Sequence, residues 1–242
     1  MIDTHCHIDL YSNPLEVALE CEQLGITTIG VTNLPSHFEM GYKHLLSFTK
    51  VRLALGMHPL YAESHVKEFP GFVRNISKTS YIGEIGLDFS KEGISTKDIQ
   101  TETFKKILNE LNGKKKILSI HSRKAEKEVL FYLSNFKIQT AIFHWYTGPV
   151  SLINKIIEAG YYFSINPAMV KSKSGKEIIK KIPLEYLLTE SDGPFIEHNG
   201  KQIKPHNIVL VQKYLSEALS ISPQEIETII SNNFKRIVNS IR

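Results

Sequence analysis

The sequence predicts a (β/α)8 TIM barrel of the α/β class, and three observations carry that expectation. Short, nearly continuous apolar and β-branched runs recur at a steady interval, helical patterns separate them, and no linker or composition break interrupts the 242 residues. Runs of this kind mark parallel strands buried on both faces. Strands are expected at 2–4, 27–32, 51–56, 81–85, 116–120, 139–143, 161–165 and 186–188. Eight of them, each followed by helical sequence, favour a closed barrel over a doubly wound open sheet, the alternative at this length. Residues 1–242 read as one domain.

The helices carry ordinary start and stop signals. The first opens on Asn13 as cap with Pro14 at the first helical position, shows an apolar stripe of Leu15, Ala18 and Leu19, and closes at Gly25. The stretch 61–79 is expected as two short helices broken at Pro70-Gly71. Residues 98–111 form an amphipathic pattern with Ile99, Phe104, Ile107, Leu108 and Leu111 inward, ended by Gly113. The stretches 123–136, 150–159 and 175–182 repeat the theme. A polar loop at 193–204 follows the eighth strand, then terminal helices at 207–218 and 223–240, the second capped by Ser222-Pro223.

Composition narrows the class. A hydrophobic content of 42% with 22% charged residues is that of a packed globular chain and excludes disorder. Two cysteines, Cys6 and Cys21, give neither a disulfide framework nor a Cys-x-x-Cys pair, and read as reduced thiols. The start of the chain lacks a basic stretch followed by an apolar one, and no apolar run reaches membrane-spanning length. A soluble cytoplasmic protein is therefore expected. The net charge of +4 admits a polyanionic substrate without requiring one. The lysines at 114–116 and 171–181 read as solvated helix faces.

In such a barrel the carboxyl ends of the strands form the active face, so the polar residue just after each strand is informative. In strand order these are His5 and His7, Asn33, His58, Glu84, His121, His144, Asn166 and Asp192. Five of the chain's ten histidines fall at such ends. His5 and His7 stand at i and i+2, so strand alternation puts both imidazoles on one side and Cys6 on the other. His5, His7, His121, His144, Glu84 and Asp192 are too many donors for one catalytic zinc, which takes three protein ligands and a water. They suit two divalent ions about 3.5–4 Å apart, bridged by a carboxylate and a hydroxide. Glu84 is the bridging candidate, and Asp192 can bind one ion and orient or deprotonate the attacking water. Imidazoles favour zinc or manganese, whereas carboxylates and water admit magnesium. For His58, ligation and a structural or substrate-facing role both stay open, and His37, His44, His65 and His198 are read as surface residues.

Six segments also carry a resemblance. Thr4-His5-Cys6-His7, Gly56-Met57-His58-Pro59, the run from Gly83 to Phe89, Ile120-His121-Ser122-Arg123, the run from Phe143 to Gly148, and Glu190-Ser191-Asp192-Gly193-Pro194 resemble the TatD-type metal-dependent deoxyribonucleases. Asn232-Asn233-Phe234 is similar to that family's closing helix, so the resemblance spans nearly the whole chain in order. It implies a metal-dependent TIM barrel hydrolysing DNA, commonly as an exonuclease, with ligands at His5, His7, Glu84, His121, His144 and Asp192. Segments 32–36 and 164–169 further resemble the short QatD branch of bacterial anti-phage defence operons, which implies operon-encoded protein partners. The chain departs from the family pattern at Leu60, Lys124, Trp145 and Ile203-Lys204-Pro205, where an Asn-Glu-Pro triplet is common; Lys204 reverses a charge on the expected substrate rim.

On this reading two divalent ions (Mg2+, Mn2+ or Zn2+) activate a hydroxide that attacks phosphorus. Arg123 is the natural phosphate clamp, or else a surface salt bridge at a helix start. Asn33 and His58 are expected to face substrate, Lys171, Lys173 and Lys204 to track its backbone, and Trp145 or Tyr146 to stack a base. Asp88 is expected to orient a ligand histidine. Two rival readings are hydrolysis of a carbonyl substrate, such as a cyclic amide, lactone or aminoacyl-tRNA ester, and an idle scaffold in a defence assembly. Carbonyl chemistry would favour a carbamylated lysine on the fourth strand, where Glu84 stands, and scaffolding would favour a lost ligand.

Overall fold

The computed structural model describes residues 1–241. In chain order the elements are β1 (Ile2–Cys6), α1 (Pro14–Leu24), β2 (Thr27–Gly30), α2 (Pro35–Leu45), β3 (Val51–Leu53), β4 (Leu55–Met57), α3 (His65–Asn75) and β5 (Tyr81–Gly86). There follow α4 (Lys97–Leu111), β6 (Ile117–His121), α5 (Glu126–Asn135), β7 (Ala141–His144), α6 (Ile153–Glu158), β8 (Tyr162–Ile165), α7 (Pro167–Lys171), α8 (Lys173–Ile179) and β9 (Leu187–Thr189). A hairpin of β10 (Glu197–His198) and β11 (Lys201–Gln202) precedes the last helices, α9 (Val209–Leu219) and α10 (Pro223–Ser240).

The parallel ladders form two arcs, β1-β2-β3 and β4-β5-β6-β7-β8-β9. β3 and β4 are one strand interrupted at Ala54, so the count round the barrel is the expected eight. Bonds beyond the ladders close two seams. At the first, the Thr32 N–H donates to the Gly83 carbonyl and the Glu84 N–H to the Thr32 carbonyl, both at 3.1 Å. At the second, Asp192 N–H donates to His5 O (2.9 Å), His7 N–H to Gly193 O (2.8 Å) and Ser191 N–H to Asp3 Oδ1 (2.9 Å). Both seams lie next to the strand-end residues, so closing the barrel also fixes them. Strand residues are buried almost throughout, as a sheet covered on both faces requires.

The helices pack outside, and several register differently from the sequence pattern. In α1 the buried residues are Val17, Ala18 and Cys21, while Leu15 and Leu19 face solvent. In α4, Ile99 is exposed and Gln100 is buried instead. Its Oε1 accepts the Asp88 N–H (2.8 Å) and its Nε2 donates to Gly93 O (2.7 Å), so backbone amides that need partners outcompete one apolar side chain. Pro70-Gly71 does not break α3, which runs through both. Pro70 releases the carbonyl of the exposed Val66, and Gly71 lets α3 approach Pro35 of α2. The sequence pattern gave no sign of α2, whose inward face is only Pro35, Phe38 and Leu45 and whose middle holds Gly41. α5 starts at Glu126 rather than residue 123, because Lys124 takes a left-handed conformation (φ 60°). The short α7 also lacked a readable stripe; Asn166 caps it, accepting from Ala168 N–H and Met169 N–H. Among the described residues no helix is long and apolar enough to cross a membrane.

Candidate metal centre

Seven polar side chains from six strands meet at the carboxyl mouth, and Glu84 is at their centre. Its Oε2 lies 3.2 Å from His7 Nε2 and 3.5 Å from His5 Nε2. Its Oε1 lies 2.6 Å from His121 Nδ1, 2.7 Å from His144 Nε2 and 3.3 Å from His58 Nε2. Asp192 Oδ1 approaches from the closing seam, 3.5 Å from His5 Nε2 and 3.9 Å from His7 Nε2. His5 and His144 stack at 3.9 Å between ring centroids, and the Nε2 atoms of His5 and His7 stand 3.3 Å apart. Glu84 sits within β5, two residues short of its end, so it reaches the middle of the mouth while the histidines ring it.

Burial sets the charges. It drives the His5 imidazole well below its usual range, aided by neighbouring His144, so His5 is a neutral ring with a free lone pair. Burial also opposes ionisation of Glu84, but His58, His144 and His121 outweigh it and hold the carboxyl well below its normal range. Burial would lower His144, yet Glu84 and Glu190 lift it well above the usual imidazole range. His121 is raised in the same way against burial, by Asp88 and Glu84. Asp192 is pushed up to about 7 by burial, against the pull of His144 and His7. Three donor groups here have ligand atoms close enough to hold an ion: His5–His144–Asp192, His5–His7–Glu84 and His58–Glu84–His121. Buried nitrogen donors mixed with two carboxylates fit a divalent transition metal better than calcium, which takes oxygen.

Around this cluster lies a second layer of contacts. His5 Nδ1 is 2.7 Å from Ser119 Oγ, and His121 Nε2 is 2.8 Å from Asp88 Oδ2. Contact with His121 and Ser90 brings the Asp88 carboxyl down to about 2 against its burial. Glu190, to which the sequence reading gave no part, is fully buried behind His144, its Oε1 3.8 Å from His144 Nδ1. It accepts from Trp145 N–H (3.0 Å), Asn166 Nδ2 (3.0 Å) and Ser164 Oγ. Only its sequence position, two residues before Asp192, hints at this. Glu190→Ala would strand three buried donors, and we expect a loss of stability on the order of 3 kcal/mol, read as a lower midpoint in urea denaturation.

The mouth opens into a cavity of about 470 Å³ lined by His7, His58, Glu84, His121, Ser122, Arg123, His144, Trp145, Thr147, Asp192 and Phe195. Arg123 lines it with a half-exposed guanidinium, 3.5 Å from Glu92. Three expected substrate contacts fall elsewhere. Asn33 is buried, and its carbonyl accepts the His58 N–H (2.8 Å), so it fixes the backbone of His58 rather than lining the cavity. Lys204 turns away to Glu20 of α1 (2.8 Å), which neutralises the charge reversal expected on the rim. Tyr146 is fully buried, its hydroxyl donating to Pro149 O, and leaves Trp145 as the cavity's indole. His65, read as a surface residue, is buried with its Nε2 3.0 Å from His58 O. Phe195 was not singled out from sequence, where it looks like one more apolar loop residue.

A closed parallel barrel with a buried imidazole–carboxylate cluster at its carboxyl mouth defines a metal-dependent hydrolase. Residues 2–239 match the protein-family signature described as TatD related DNase, and the chain belongs to that family. A Methanocaldococcus jannaschii protein named as a metal-dependent hydrolase is 29% identical, covering 97% of each chain. The human protein named deoxyribonuclease TATDN3 is 22% identical over 100% of this chain and 96% of its own. In three dimensions the TatD homologue YJJV of Escherichia coli superposes with a TM-score of 0.87 at 22% identity, covering 100% of this chain and 97% of the other. A TatD-family hydrolase of Entamoeba histolytica gives 0.85 at 18% identity, covering 98% and 97%.

Proposed function

We propose that residues 1–242 form one hydrolase domain that removes nucleotides from DNA ends. Two divalent ions (magnesium, manganese or zinc) would be held by His5, His7, Glu84, His121, His144 and Asp192. The observation that carries this reading is the way Glu84 divides the cluster, with His5 and His7 on one oxygen and His58, His121 and His144 on the other. Family membership and the deoxyribonuclease name of the human relative support DNA as substrate. The similarity of segments 32–36 and 164–169 to the QatD branch supports a cytoplasmic anti-phage role with operon-encoded partners.

When bound, such ions polarise the phosphodiester and lower the pKa of water. The chain's own residues do the rest. Asp192, whose carboxylate lines the cavity, would take the proton of the attacking water. Arg123 exchanges its exposed Glu92 partner for a phosphate oxygen pair. Asp88 accepts from His121 Nε2, which leaves Nδ1, on the Glu84 side, as the nitrogen that would offer its lone pair to a bound ion. Asp88→Asn, which keeps the shape but removes the charge, is expected to weaken metal affinity about tenfold or more, read by competition with a fluorescent chelator.

The test is a digest of end-labelled single-stranded DNA with magnesium, manganese or zinc, and with chelator. Stepwise shortening that needs metal is the expected result. Intact DNA under every metal, from protein shown to carry bound ions, would overturn the reading.

A further inference from the structure

Two aromatic rings flank the cluster where the cavity opens. Trp145 follows β7 and Phe195 follows β9, and both line the cavity, with Phe195 next to the His5–His7 strand end. Phe195 is 60% exposed, while the next residue, Ile196, is 6% exposed and fills the core. The Phe195 N–H donates to Asp192 O at 3.0 Å, so this loop tethers the ring to the same turn that delivers Asp192. The ring and His7 are T-shaped to one another, with centroids 4.9 Å apart and planes at 80°. One exposed phenylalanine means little by itself. This one forms a wall of the cavity whose floor is the imidazole–carboxylate cluster, and more than half of its surface is open to that space.

We infer that Phe195 is the stacking platform for the nucleobase next to the scissile phosphate. This rests on the deoxyribonuclease reading. A phosphate held by Arg123 beside the cluster carries its sugar and base outward, and the exposed ring of Phe195 is the apolar surface they meet on the β9 side. In a duplex both faces of a base are already covered by its neighbours, so stacking on Phe195 requires the terminal pair to open. Every base has a π-face, so the contact tolerates any sequence; its strength corresponds to roughly a 5- to 150-fold change in binding.

Three measurements on the full chain test it. Steady-state kinetics compare wild type, Phe195→Ala and Phe195→Tyr on single-stranded oligonucleotides that are intact or abasic at the terminal or penultimate nucleotide. Melting checks that each variant folds. Binding of the same oligonucleotides to metal-free protein is read by quenching of Trp145, the chain's only tryptophan. Phe195→Ala is expected to lose about tenfold or more on intact strands, mainly in KM. Its loss on the strand abasic at the stacked position should be smaller by the same factor, and Phe195→Tyr should restore the intact-strand value. Metal-free binding should follow the same pattern. Equal losses on intact and abasic strands, or none on either, would overturn the stacking role while leaving cleavage established. Wild-type protein that neither cuts nor binds DNA would overturn both readings.

Discussion

Glu84→Gln is expected to lower hydrolysis by about 10³ or more, because several kcal/mol of transition-state stabilisation depend on the ions this carboxylate organises. The amide keeps the shape of Glu84 but replaces one charged oxygen with a donor NH2 group. Oε1 lies within 3.3 Å of three imidazole nitrogens and Oε2 within 3.5 Å of two more, so either orientation of the amide turns a donor toward histidine nitrogens. Those nitrogens then cannot offer lone pairs to an ion without leaving the amide in the way. In the metal-free protein the variant also removes a charge that holds His144 and His121 protonated above their usual range. Metal analysis should therefore show fewer ions per chain than wild type, and added metal should no longer raise the melting temperature. Full metal content with undiminished rate would show that Glu84 is not the bridge.

Much of this centre was legible because a parallel barrel imposes one simple rule: whatever follows a strand points into the mouth. His58, His121, His144, His5 of β1 and His7 just beyond it are all picked out by offset alone, and the fold brings them together. Where the rule misplaced a residue, a partner distant in sequence decided. Lys204 leaves the rim because Glu20 waits 184 positions earlier. Asn33 spends its carbonyl on His58, and Gln100 displaces Ile99 because Asp88 and Gly93 needed partners. Glu190 was missed for the opposite reason. Its neighbours are ordinary strand-end sequence, and its role exists only once β7, β8 and β9 lie side by side and bring Trp145, Ser164 and Asn166 to one carboxylate. The apolar pattern gives the strands and the more amphipathic helices but not α2, α7 or the atoms at the seams.

Gly56→Ala tests the seam on which the centre depends, and its effect on stability should be the largest of any glycine-to-alanine change. A Cβ at Gly56 would lie 1.5 Å from the Thr32 carbonyl oxygen, 2.5 Å from its carbon and 2.9 Å from the Glu84 nitrogen. None of these is the end of a flexible side chain. Thr32 crosses directly over Gly56 to exchange two backbone hydrogen bonds with Gly83 and Glu84, while its hydroxyl donates to Ala54 O (2.9 Å) and accepts the Gly56 N–H (3.1 Å). A methyl group must push Thr32 off, break the bonds that join the two arcs and release the backbone of Glu84. We expect a loss of about 4 kcal/mol or more, which at this chain length lowers the melting temperature by roughly 10 °C. Metal affinity should fall with it, since the displaced backbone carries the central carboxylate. Gly113→Ala is the control: its φ is +72° but nothing lies within 4 Å, so only the left-handed strain of about 1–2 kcal/mol remains. Calorimetry of the two variants reads the comparison directly. If Gly56→Ala melts within a degree or two of Gly113→Ala, then the bonds of Thr32 to Gly83 and Glu84 over Gly56 do not hold the barrel together there.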